Sequence, residues 1–421
     1  MNVTSLIWIV PYLVCGAFSH LFDDPLNHAV YVWLPSGIAV GAYLLTRRDN
    51  WALLLLGFFA AQVVITGIHR ADLSTSFAFA FAASAANLLA AWSIQTLKPR
   101  DGGPGLVAAL FLGAVIGAAC SAAISGTWLW LSHGLHSWTQ LRNWVAAYLA
   151  GVLILAPALK GWANFRARRS GGPRWRDLAL GLTAYLGLAA SAFVTFNGEM
   201  LKNVPYVVSF ELTYLPIVFS VLVALIWGPP GGTLAVATLT LITLWQSAQG
   251  EGPFVDPDDQ WHALIATQVY LIIAALLILL VNSLRSERAQ KLETAEQWRV
   301  KVELALAGSR QLLYRYSPER DELDVSGDVT SALGTSAVTI STLNQLLALT
   351  HPEDRNRLKL HWEGRRAGAL DQTPLLFRLA HETGGWRIIN DRGNPLSNAD
   401  GSVEIIAGTW RYGDIEHTDA S

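Results

Sequence analysis

Long apolar runs separated by short polar connectors make up roughly the first two thirds of the chain. The runs cover residues 4–22, 28–46, 51–69, 75–96, 106–132, 143–160, 178–197, 204–227, 232–249 and 262–284. An α-helix rises about 1.5 Å per residue, so about 20 apolar residues cross a hydrocarbon core of about 30 Å. The pattern therefore predicts a polytopic α-helical membrane bundle of about ten transmembrane helices.

The last apolar run, 262–284, continues into a charged segment, 285–307, without an intervening Gly or Pro. That segment is rich in good helix formers, and Glu287 precedes Lys291 by four residues, which is a favourable helical pair. We therefore predict one continuous helix over 258–307. In this interpretation residues 1–284 form the membrane domain, and residues 285–308 form a signalling helix.

Apolar positions along the charged segment form a weak heptad pattern that is interrupted near Arg299. The positions are Leu292, Ala295, Val302 and Leu306. A coiled coil needs three or four sustained heptads, and this pattern is shorter. A homodimer through residues 285–308 is therefore a hypothesis.

Beyond the signalling helix the pattern changes to short alternating runs that predict strands. Residues 312–317 and 322–326 flank a turn, and helical patterns follow over 341–349 and 353–366. Three further strands are predicted at 374–382, 386–391 and 403–412, separated by Gly384-Gly385 and by the turn 398–401. This order of elements predicts an α+β domain over 309–416, followed by a tail at 417–421.

Composition agrees with a membrane protein, because 52% of the 421 residues are hydrophobic and only 15% are charged. Charged residues make up about a quarter of an ordinary soluble protein. The net charge of −2 and the absence of a basic arm give no indication of nucleic-acid binding. Cys15 and Cys120 lie alone in apolar runs, so the sequence predicts neither a disulfide nor a metal site.

Basic residues are concentrated in alternate connectors. They include Arg47, Arg48, Lys98, Arg100, Lys160 and the arginines of residues 166–176. Connectors rich in Lys and Arg face the cytoplasm, so the sequence predicts that both termini are cytoplasmic. The first apolar run lacks a cationic start and a cleavage site, so we expect a retained helix and not a signal peptide.

One candidate ligand site surrounds Glu211, an ionisable residue within a predicted span. Pro216 frees the carbonyl of Leu212 from the helical ladder, and Tyr214 lies three residues after Glu211. A carboxylate, a phenol and a free carbonyl form a polar pocket in this interpretation. In the alternative, Glu211 pairs with Arg142 or Lys202 and only stabilises the bundle.

Other polar or kinked positions extend this site or shape the bundle. Pro35 and Pro157 free further carbonyls, of Tyr31 and Leu153. Asn87, Gln62 and Gln268 are isolated polar residues, for which hydrogen bonding between helices is the preferred interpretation. The candidate ligand-binding residues are Glu211, Tyr214, Trp33, Arg142, Asn87 and Gln268.

Small residues at four-residue spacing, such as Gly113 and Gly117, let helices approach closely in lipid. Packing within the bundle is the preferred interpretation of this pair. A dimer contact is the alternative.

The C-terminal part resembles a PAS domain in the order and spacing of its motifs. They are His351-Pro352-Glu353-Asp354, Phe377-Arg378-Leu379, Gly384-Gly385-Trp386-Arg387, Asp400-Gly401 and Gly408-Thr409 with Asp414-Ile415. The closing motif of that family ends in Thr, where this chain has Glu416.

The membrane part resembles the first class of the MASE family of membrane-associated sensor domains. The matching pieces are residues 32–39 (Val-Trp-Leu-Pro-Ser-Gly-Ile-Ala), Asn143-Trp144 with 151–157, Tyr214 to Pro216 with Trp227-Gly228, 250–254, and Gln268 leading to 286–288. This resemblance implies a bacterial inner-membrane sensor. Relatives precede histidine kinases and diguanylate cyclases.

The sequence predicts no catalytic site. It contains neither a Gly-Gly-Asp/Glu-Glu-Phe cyclase loop nor a nucleotide-binding glycine-rich box. His351 as a phosphoacceptor is less favoured than a structural loop histidine. The PAS region has no Cys, which excludes flavin–cysteinyl chemistry. Haem ligation by His361 or His381 stays open, as does an unidentified small molecule in the PAS domain, but no cofactor is evident.

We therefore expect a non-enzymatic sensor in the bilayer that responds to an unknown small ligand. Its signal would reach a kinase or a cyclic-di-GMP enzyme, in a separate cytoplasmic protein or beyond Ser421. A transporter or permease with a regulatory PAS tail is the alternative, and a simple membrane anchor is a third interpretation.

Overall fold

The structure is a computed structural model of the 421-residue chain. It describes residues 7–23, 29–68, 72–99, 103–134, 138–163, 175–201, 205–254, 260–334, 340–369, 373–382, 384–398 and 402–416. The basic connector 164–174, Lys202 and the predicted tail 417–421 lie outside these residues. The chain divides into two compact units, Met1–Ala289 and Gln290–Ser421.

Helices form most of the described part of the first unit, and the last of them continues into the second unit. They are α1 (Ile9–Leu21), α2 (Leu34–Leu45), α3 (Trp51–Ile68), α4 (Leu73–Leu97), α5 (Pro104–His133), α6 (Trp138–Ala163), α7 (Trp175–Phe196), α8 (Gly198–Leu201), α9 (Tyr206–Leu212), α10 (Tyr214–Trp227), α11 (Pro229–Ala248) and α12 (Gln260–Ser309). A short 3₁₀ turn, Arg48–Asn50, precedes α3.

Among the described residues, seven helices are long and apolar enough to cross a membrane. The predicted polytopic bundle is therefore confirmed, although fewer helices than the predicted ten meet both conditions. Helices α1 and α2 contain 13 and 12 residues, and 12 residues span only about 18 Å. Helix α2 is shorter than the predicted span 28–46 because residues 29–33 are non-helical.

Glycine and proline set the tight connection between α10 and α11. Gly228 has a φ of +74°, which disfavours any side chain, and Pro229 begins the next helix at once. Arg285 of α12 donates from Nη1 to the carbonyl of Ala224 at 2.9 Å. The carbonyl of Ala224 also accepts from the amide of Gly228 at 3.0 Å, while Arg285 Nη2 donates to the carbonyl of Ile226, in the last turn of α10, at 3.4 Å.

The pair Gly113 and Gly117 packs α5 against α4. A Cβ at Gly113 would overlap Ile94, and one at Gly117 would lie 2.8 Å from Ala90 and 3.0 Å from the carbonyl of Ala86. The bundle-packing interpretation of this motif is thus confirmed for these two glycines.

The predicted continuous helix is also confirmed, since α12 runs from Gln260 to Ser309 over 50 residues. Its early part lies in the membrane unit, where Leu264, Leu271 and Ile278 are buried. Its charged part begins at Arg285. The side chains of residues 290–305 are exposed within the second unit.

The second unit contains an antiparallel sheet with the strand order β2-β1-β5-β4-β3. The strands are β1 (Gln311–Ser317), β2 (Glu322–Ser326), β3 (Leu375–Ala380), β4 (Trp386–Ser397) and β5 (Val403–Glu416). Helices α13 (Val329–Leu333), α14 (Leu343–Leu349) and α15 (Pro352–Arg366) lie between β2 and β3 in the chain. The predicted α+β domain is confirmed.

Aromatic side chains and one ion pair fill the interior of this sheet domain. Trp362 and Trp410 are fully buried, and their rings flank that of Tyr314 at 5.3 and 5.0 Å between centroids. Arg365 Nη1 donates to Asp391 Oδ2 and to Tyr314 Oη, each at 2.7 Å. Burial raises the pKa of Asp391 more than Arg365 lowers it.

Candidate functional site

Residues 29–33, which we call the extended segment, are non-helical and lie between the helices of the membrane unit. Tyr31 and Val32 are buried within it. The amide of Trp33 donates to the carbonyl of Ala147 in α6 at 3.0 Å, and Tyr31 Oη donates to the carbonyl of Ser247 at 3.4 Å. Backbone of this kind is tolerated at membrane depth where protein satisfies its polar groups.

Two glycines let this segment lie directly against α6. A Cβ on Gly151 would overlap the carbonyl of Trp33, and a Cβ on Gly37 would overlap the carbonyl of Gly151. Ser36 adds a hydroxyl that donates to the carbonyls of Trp33 and Tyr148, at 2.7 and 3.2 Å. The sequence Trp-Leu-Pro-Ser-Gly thus fixes the backbone that leads into α2.

Gln268 connects the same segment to α12. Its Nε2 donates to Asn143 Oδ1 at 2.6 Å and to the carbonyl of Tyr31 at 3.0 Å. Gln268 is fully buried, and Asn143 is 1% exposed. One side chain on the long helix therefore holds both the extended segment and the start of α6.

A cavity of about 300 Å³ opens beside this segment, and we call it the aromatic cavity. It is lined by His20, Val30, Trp33, Gln62, Thr66, Phe79, Ala83, Ser121, Ser125, Trp144, Ala147 and Tyr148. These residues come from the end of α1, the extended segment, the last turns of α3 and the first half of α4. The remainder come from the later part of α5 and the first half of α6. Because successive helices run in alternate directions, the residues meet towards one end of the bundle.

Aromatic rings form part of the cavity wall. The ring of Trp33 lies edge-on to that of His20, with 5.4 Å between centroids. On the α4–α6 side, Phe79 and Trp144 make a similar edge contact at 5.6 Å. Rings in such arrangements present both faces and edges to a flat ligand.

Buried polar partners hold the hydrogen-bonding groups of the wall in place. Tyr12 Oη donates to Gln62 Oε1 at 2.7 Å, and Gln62 Nε2 donates to Thr66 Oγ1 at 3.2 Å. Tyr148 Oη donates to Asn87 Oδ1 at 3.0 Å. Groups fixed by such partners bind a ligand with little further loss of side-chain freedom.

His20 forms the most polar part of the wall. Its Nδ1 lies 3.1 Å from Asp23 Oδ2, and both side chains are about one fifth exposed. Within the described residues, no group of three His, Cys, Asp or Glu side chains is arranged to hold a metal ion.

The structure brings together only part of the predicted ligand site. Trp33 lines the aromatic cavity, while Asn87 and Gln268 hold its walls from behind. Arg142, Glu211 and Tyr214 are exposed and do not line it. A ligand-binding role for these three residues stays a prediction. Hydrogen bonding between helices by Asn87, Gln62 and Gln268 is confirmed.

Two carbonyls that were expected to be free have partners. The helix breaks at Thr213, between α9 and α10, and Thr195 Oγ1 donates to the carbonyl of Leu212 at 3.4 Å. Pro35 lies in the first turn of α2, so the carbonyl of Tyr31 lies before that helix. This carbonyl accepts from Gln268 Nε2. Proline therefore ends or begins helices at both places and leaves no open carbonyl there.

Sequence reasoning missed His20, Tyr148, Trp144 and the two serines of α5 as cavity residues. One signal for His20 was present in the sequence, because Asp23 follows it by three positions at a helix end and can pair with it. The others are ordinary in composition, and only the packing of α4, α5 and α6 places them together.

In the PAS region, His351 has a structural role. Its Nδ1 accepts from the amide of Glu353 at 3.3 Å at the start of α15. Asp354 accepts from the amide and from Nε of Arg378 on β3, at 3.0 and 2.8 Å. The motif His-Pro-Glu-Asp therefore joins α15 to the sheet, as expected for a loop histidine of the PAS pattern.

Comparison with protein families identifies both units. The family model MASE1 matches residues 4–289, which is more than half of the chain. The chain belongs to the MASE1 family. A second model, PAS fold, matches residues 322–410. The predicted MASE and PAS resemblances are confirmed, and the two matched families are those of a membrane sensor and a sensory domain. No curated protein matches the chain.

Two solved structures show some similarity to part of this chain. One is the N-terminal domain of a diguanylate cyclase with PAS/PAC sensor from Marinobacter aquaeolei, at 16% identity and a TM-score of 0.22, covering 24% of this chain and 92% of that chain. Another is a sensory box histidine kinase/response regulator from Burkholderia thailandensis E264, at 20% identity and a TM-score of 0.21, covering 27% of this chain and 83% of that chain.

The MASE1 and PAS matches, with the apolar helices, make this a membrane protein with the domains of a signal-transduction sensor.

Proposed function

We propose that the chain is a bacterial inner-membrane sensor whose MASE1 domain binds a small molecule in the aromatic cavity. Binding changes the position or strain of α12, and α12 carries this change to the PAS domain. The observation that supports the proposal most strongly is the buried hydrogen bond from Gln268 of α12 to the segment that forms the cavity wall.

The route from cavity to helix is short. Val30 and Trp33 line the cavity, and Tyr31 between them accepts from Gln268. A ligand that moves this segment must stretch or re-form a hydrogen bond on α12. Such a ligand shifts the helix only to the extent that it binds the two arrangements with different affinity.

Charge distribution supports an orientation with both termini in the cytoplasm. Arg47, Arg48, Lys98 and Lys160 lie at the helix ends opposite the aromatic cavity. In this orientation the cavity lies in the outer half of the bilayer, where it receives ligand from outside or from the outer leaflet.

The output is a kinase or a cyclic-di-GMP enzyme in this proposal, and the PAS domain is its docking module. Leu292 and Val302 on α12 are exposed, which is compatible with a helical homodimer over residues 285–308. Disulfide cross-linking of cysteines introduced at these two positions in native membranes tests that dimer. A chain that remains entirely monomeric contradicts it.

Native mass spectrometry and hydrogen exchange together test the sensor proposal. Ala83 lines the aromatic cavity, so Ala83→Phe should expel a small molecule that co-purifies with the full chain. In the same variant, hydrogen exchange over residues 290–309 should differ from wild type. Ala78→Phe on the same helix is the matched control, because Ala78 lines an open lipid-facing groove with Phe77 and Phe81.

Both variants must show the same thermal midpoint for the comparison to count as a test of the cavity. A co-purifying molecule that Ala83→Phe removes and Ala78→Phe retains supports the proposal. Unchanged exchange over residues 290–309 in a folded Ala83→Phe protein overturns it, because α12 would then be independent of the cavity.

A further inference from the structure

The aromatic cavity carries hydrogen-bonding groups but almost no charge. Its polar lining residues are His20, Gln62, Thr66, Ser121, Ser125 and Tyr148, and none of its lining residues among those described is Lys, Arg, Asp or Glu. Moving an ion out of water into such a site is strongly unfavourable unless a counter-ion is present. The lining therefore disfavours a charged ligand.

Nearby ionisable groups do not change this conclusion. Arg142 precedes the cavity residue Trp144 on α6, but its side chain is exposed and outside the lining. The carboxylate of Asp23 also lies outside the lining, and its Oδ2 is paired with His20 Nδ1. Among the described lining residues, His20 is the one side chain that can become a cation, and it lies beside the Asp23 carboxylate, so the wall carries no unbalanced charge.

The hydrogen bonds behind the wall determine what its groups offer to a ligand. Gln62 Nε2 uses one hydrogen for Thr66 and retains a second as a donor. Tyr148 gives its hydroxyl hydrogen to Asn87, so its oxygen retains lone pairs that accept. The oxygen of Tyr148 therefore suits an N–H or O–H donor on the ligand, and Gln62 suits an acceptor such as a hydroxyl oxygen where the ligand has one.

Shape restricts the ligand further. Trp33, Phe79 and Trp144 provide flat apolar surfaces, and the volume of about 300 Å³ is at the small end of ligand cavities. Flat rings pack well against aromatic edges and faces. One ring or two fused rings fit such a space better than a lipid headgroup with its charges.

We infer that the aromatic cavity binds a neutral aromatic molecule of one or two fused rings that carries an N–H or O–H group, of the indole or phenol class. The inference rests on the proposed function, since it names the ligand class of the same site. Such a molecule is uncharged and crosses membranes, so it reaches the cavity through water or through lipid.

Fluorine NMR of 5-fluoroindole added to the full chain in lipid nanodiscs tests this inference, with empty nanodiscs as the partition control. Unlabelled indole should displace the bound probe. Indole-3-carboxylate and tryptamine, which add a negative or a positive charge to the same ring system, should need at least tenfold higher concentrations. Equal competition by either charged analogue overturns the inference.

Two cavity-filling variants locate the probe. Ala83→Phe on α4 and Ser121→Phe on α5 approach the cavity from different helices, so one folded variant suffices if the other is unstable. Each should abolish the bound signal, while Ala78→Phe should retain it. A signal that persists in a folded cavity-filled variant, or a phospholipid found in the cavity in place of the probe, contradicts the assignment.

The results separate the ligand class from the sensor proposal. If 5-fluoroindole does not bind, yet Ala83→Phe alters hydrogen exchange over residues 290–309, the ligand class is wrong and the sensor proposal stands. If 5-fluoroindole binds in the cavity and α12 does not respond to cavity filling, the ligand class stands and the relay is wrong.

Discussion

Gln268 Nε2 lies 2.6 Å from Asn143 Oδ1, and this bond joins the long helix α12 to the start of α6. The same nitrogen donates to the carbonyl of Tyr31, while the buried Oε1 of Gln268 has no partner among the described residues. An unsatisfied buried oxygen costs free energy, so a rearrangement that brings a donor to Oε1 is favoured. This side chain is therefore suited to respond to a change in the cavity wall.

Replacing Gln268 by Leu should destabilise the membrane domain. The change leaves Asn143 Oδ1 and the carbonyl of Tyr31 without this buried donor, which costs about 1–3 kcal/mol. The expected result is a lower thermal midpoint of the full chain in nanodiscs and faster hydrogen exchange over residues 29–33.

Gln95→Leu is the matched control, because Gln95 accepts only from the exposed Arg48 side chain in the structure. Its midpoint should remain close to wild type. If Gln268→Leu and Gln95→Leu have the same thermal midpoint, the buried hydrogen bonds of Gln268 do not stabilise the membrane domain.

Alanine at Gly37 or Gly151 should disrupt the contact between the extended segment (residues 29–33) and α6. At Gly37 the added methyl group overlaps the carbonyl of Gly151 in α6, and at Gly151 it overlaps the carbonyl of Trp33, so α6 or residues 29–33 must move. The expected cost is about 1–3 kcal/mol, as for other overpacked cores. Yield and thermal midpoint in detergent measure the effect.

Gly67→Ala provides the comparison, because a Cβ at Gly67 meets nothing within 4 Å. Alanine has the higher helix propensity, so this variant should be neutral or slightly more stable. Equal losses at Gly37 and Gly67 would show that close approach is not the reason for glycine at Gly37.

Sequence periodicity predicted the class of architecture, although not the number of long helices. Long apolar runs located the membrane helices, and the absence of Gly and Pro from residues 262–307 predicted the unbroken α12. The extended segment 29–33 was missed because its apolar residues have the same composition as a helix. Its conformation depends on tertiary partners, namely Ala147, Ser247 and Gln268.

The candidate site was predicted less well for a related reason. Glu211 was favoured because a carboxylate in an apolar run is conspicuous, whereas the cavity is lined by Trp, Ser, Thr and Gln, which also occur as packing residues. Trp33 and Gln268 were identified through family motifs and isolated polarity. Their association with His20 and Tyr148 depends on which helices pack together.

The PAS domain should lose stability when its buried ion pair is broken. Arg365→Met leaves Asp391, which is fully buried, without its cation, and such losses are about 3–5 kcal/mol. The double variant Arg365→Met/Asp391→Leu should recover part of the loss. Hydrogen exchange over residues 311–317 and 403–416 in the full chain measures the stability of each variant. If the loss of stability in the double variant equals the sum of the losses in Arg365→Met and in Asp391→Leu, the two residues are not coupled.

Asp354 should make the PAS domain sensitive to acid. Partial burial alone would raise the pKa of this carboxyl, but hydrogen bonds from Arg378 outweigh that effect and hold the pKa below its usual value. The carboxylate therefore stabilises the folded state above about pH 4, and this contribution is lost as the pH falls through the lowered pKa.

Thermal melting of the full chain, monitored by hydrogen exchange in the PAS domain at pH 7 and below pH 4, tests this pH dependence of stability. Asp354→Asn should lower stability more at pH 7 than at the acidic pH. A difference from wild type that is the same at both values contradicts the role of the charge.

Coupling between the aromatic cavity and α12 is the central claim, and a double-mutant cycle read by hydrogen exchange over residues 290–309 measures it most directly. The four proteins are wild type, Ala83→Phe, Gln268→Leu and the double variant, all as full chains in nanodiscs. We predict that Ala83→Phe changes exchange in this segment and that the change disappears in the Gln268→Leu background. A change of equal size in both backgrounds would show that the signal bypasses Gln268, and no change in either would show that the cavity and α12 are not coupled.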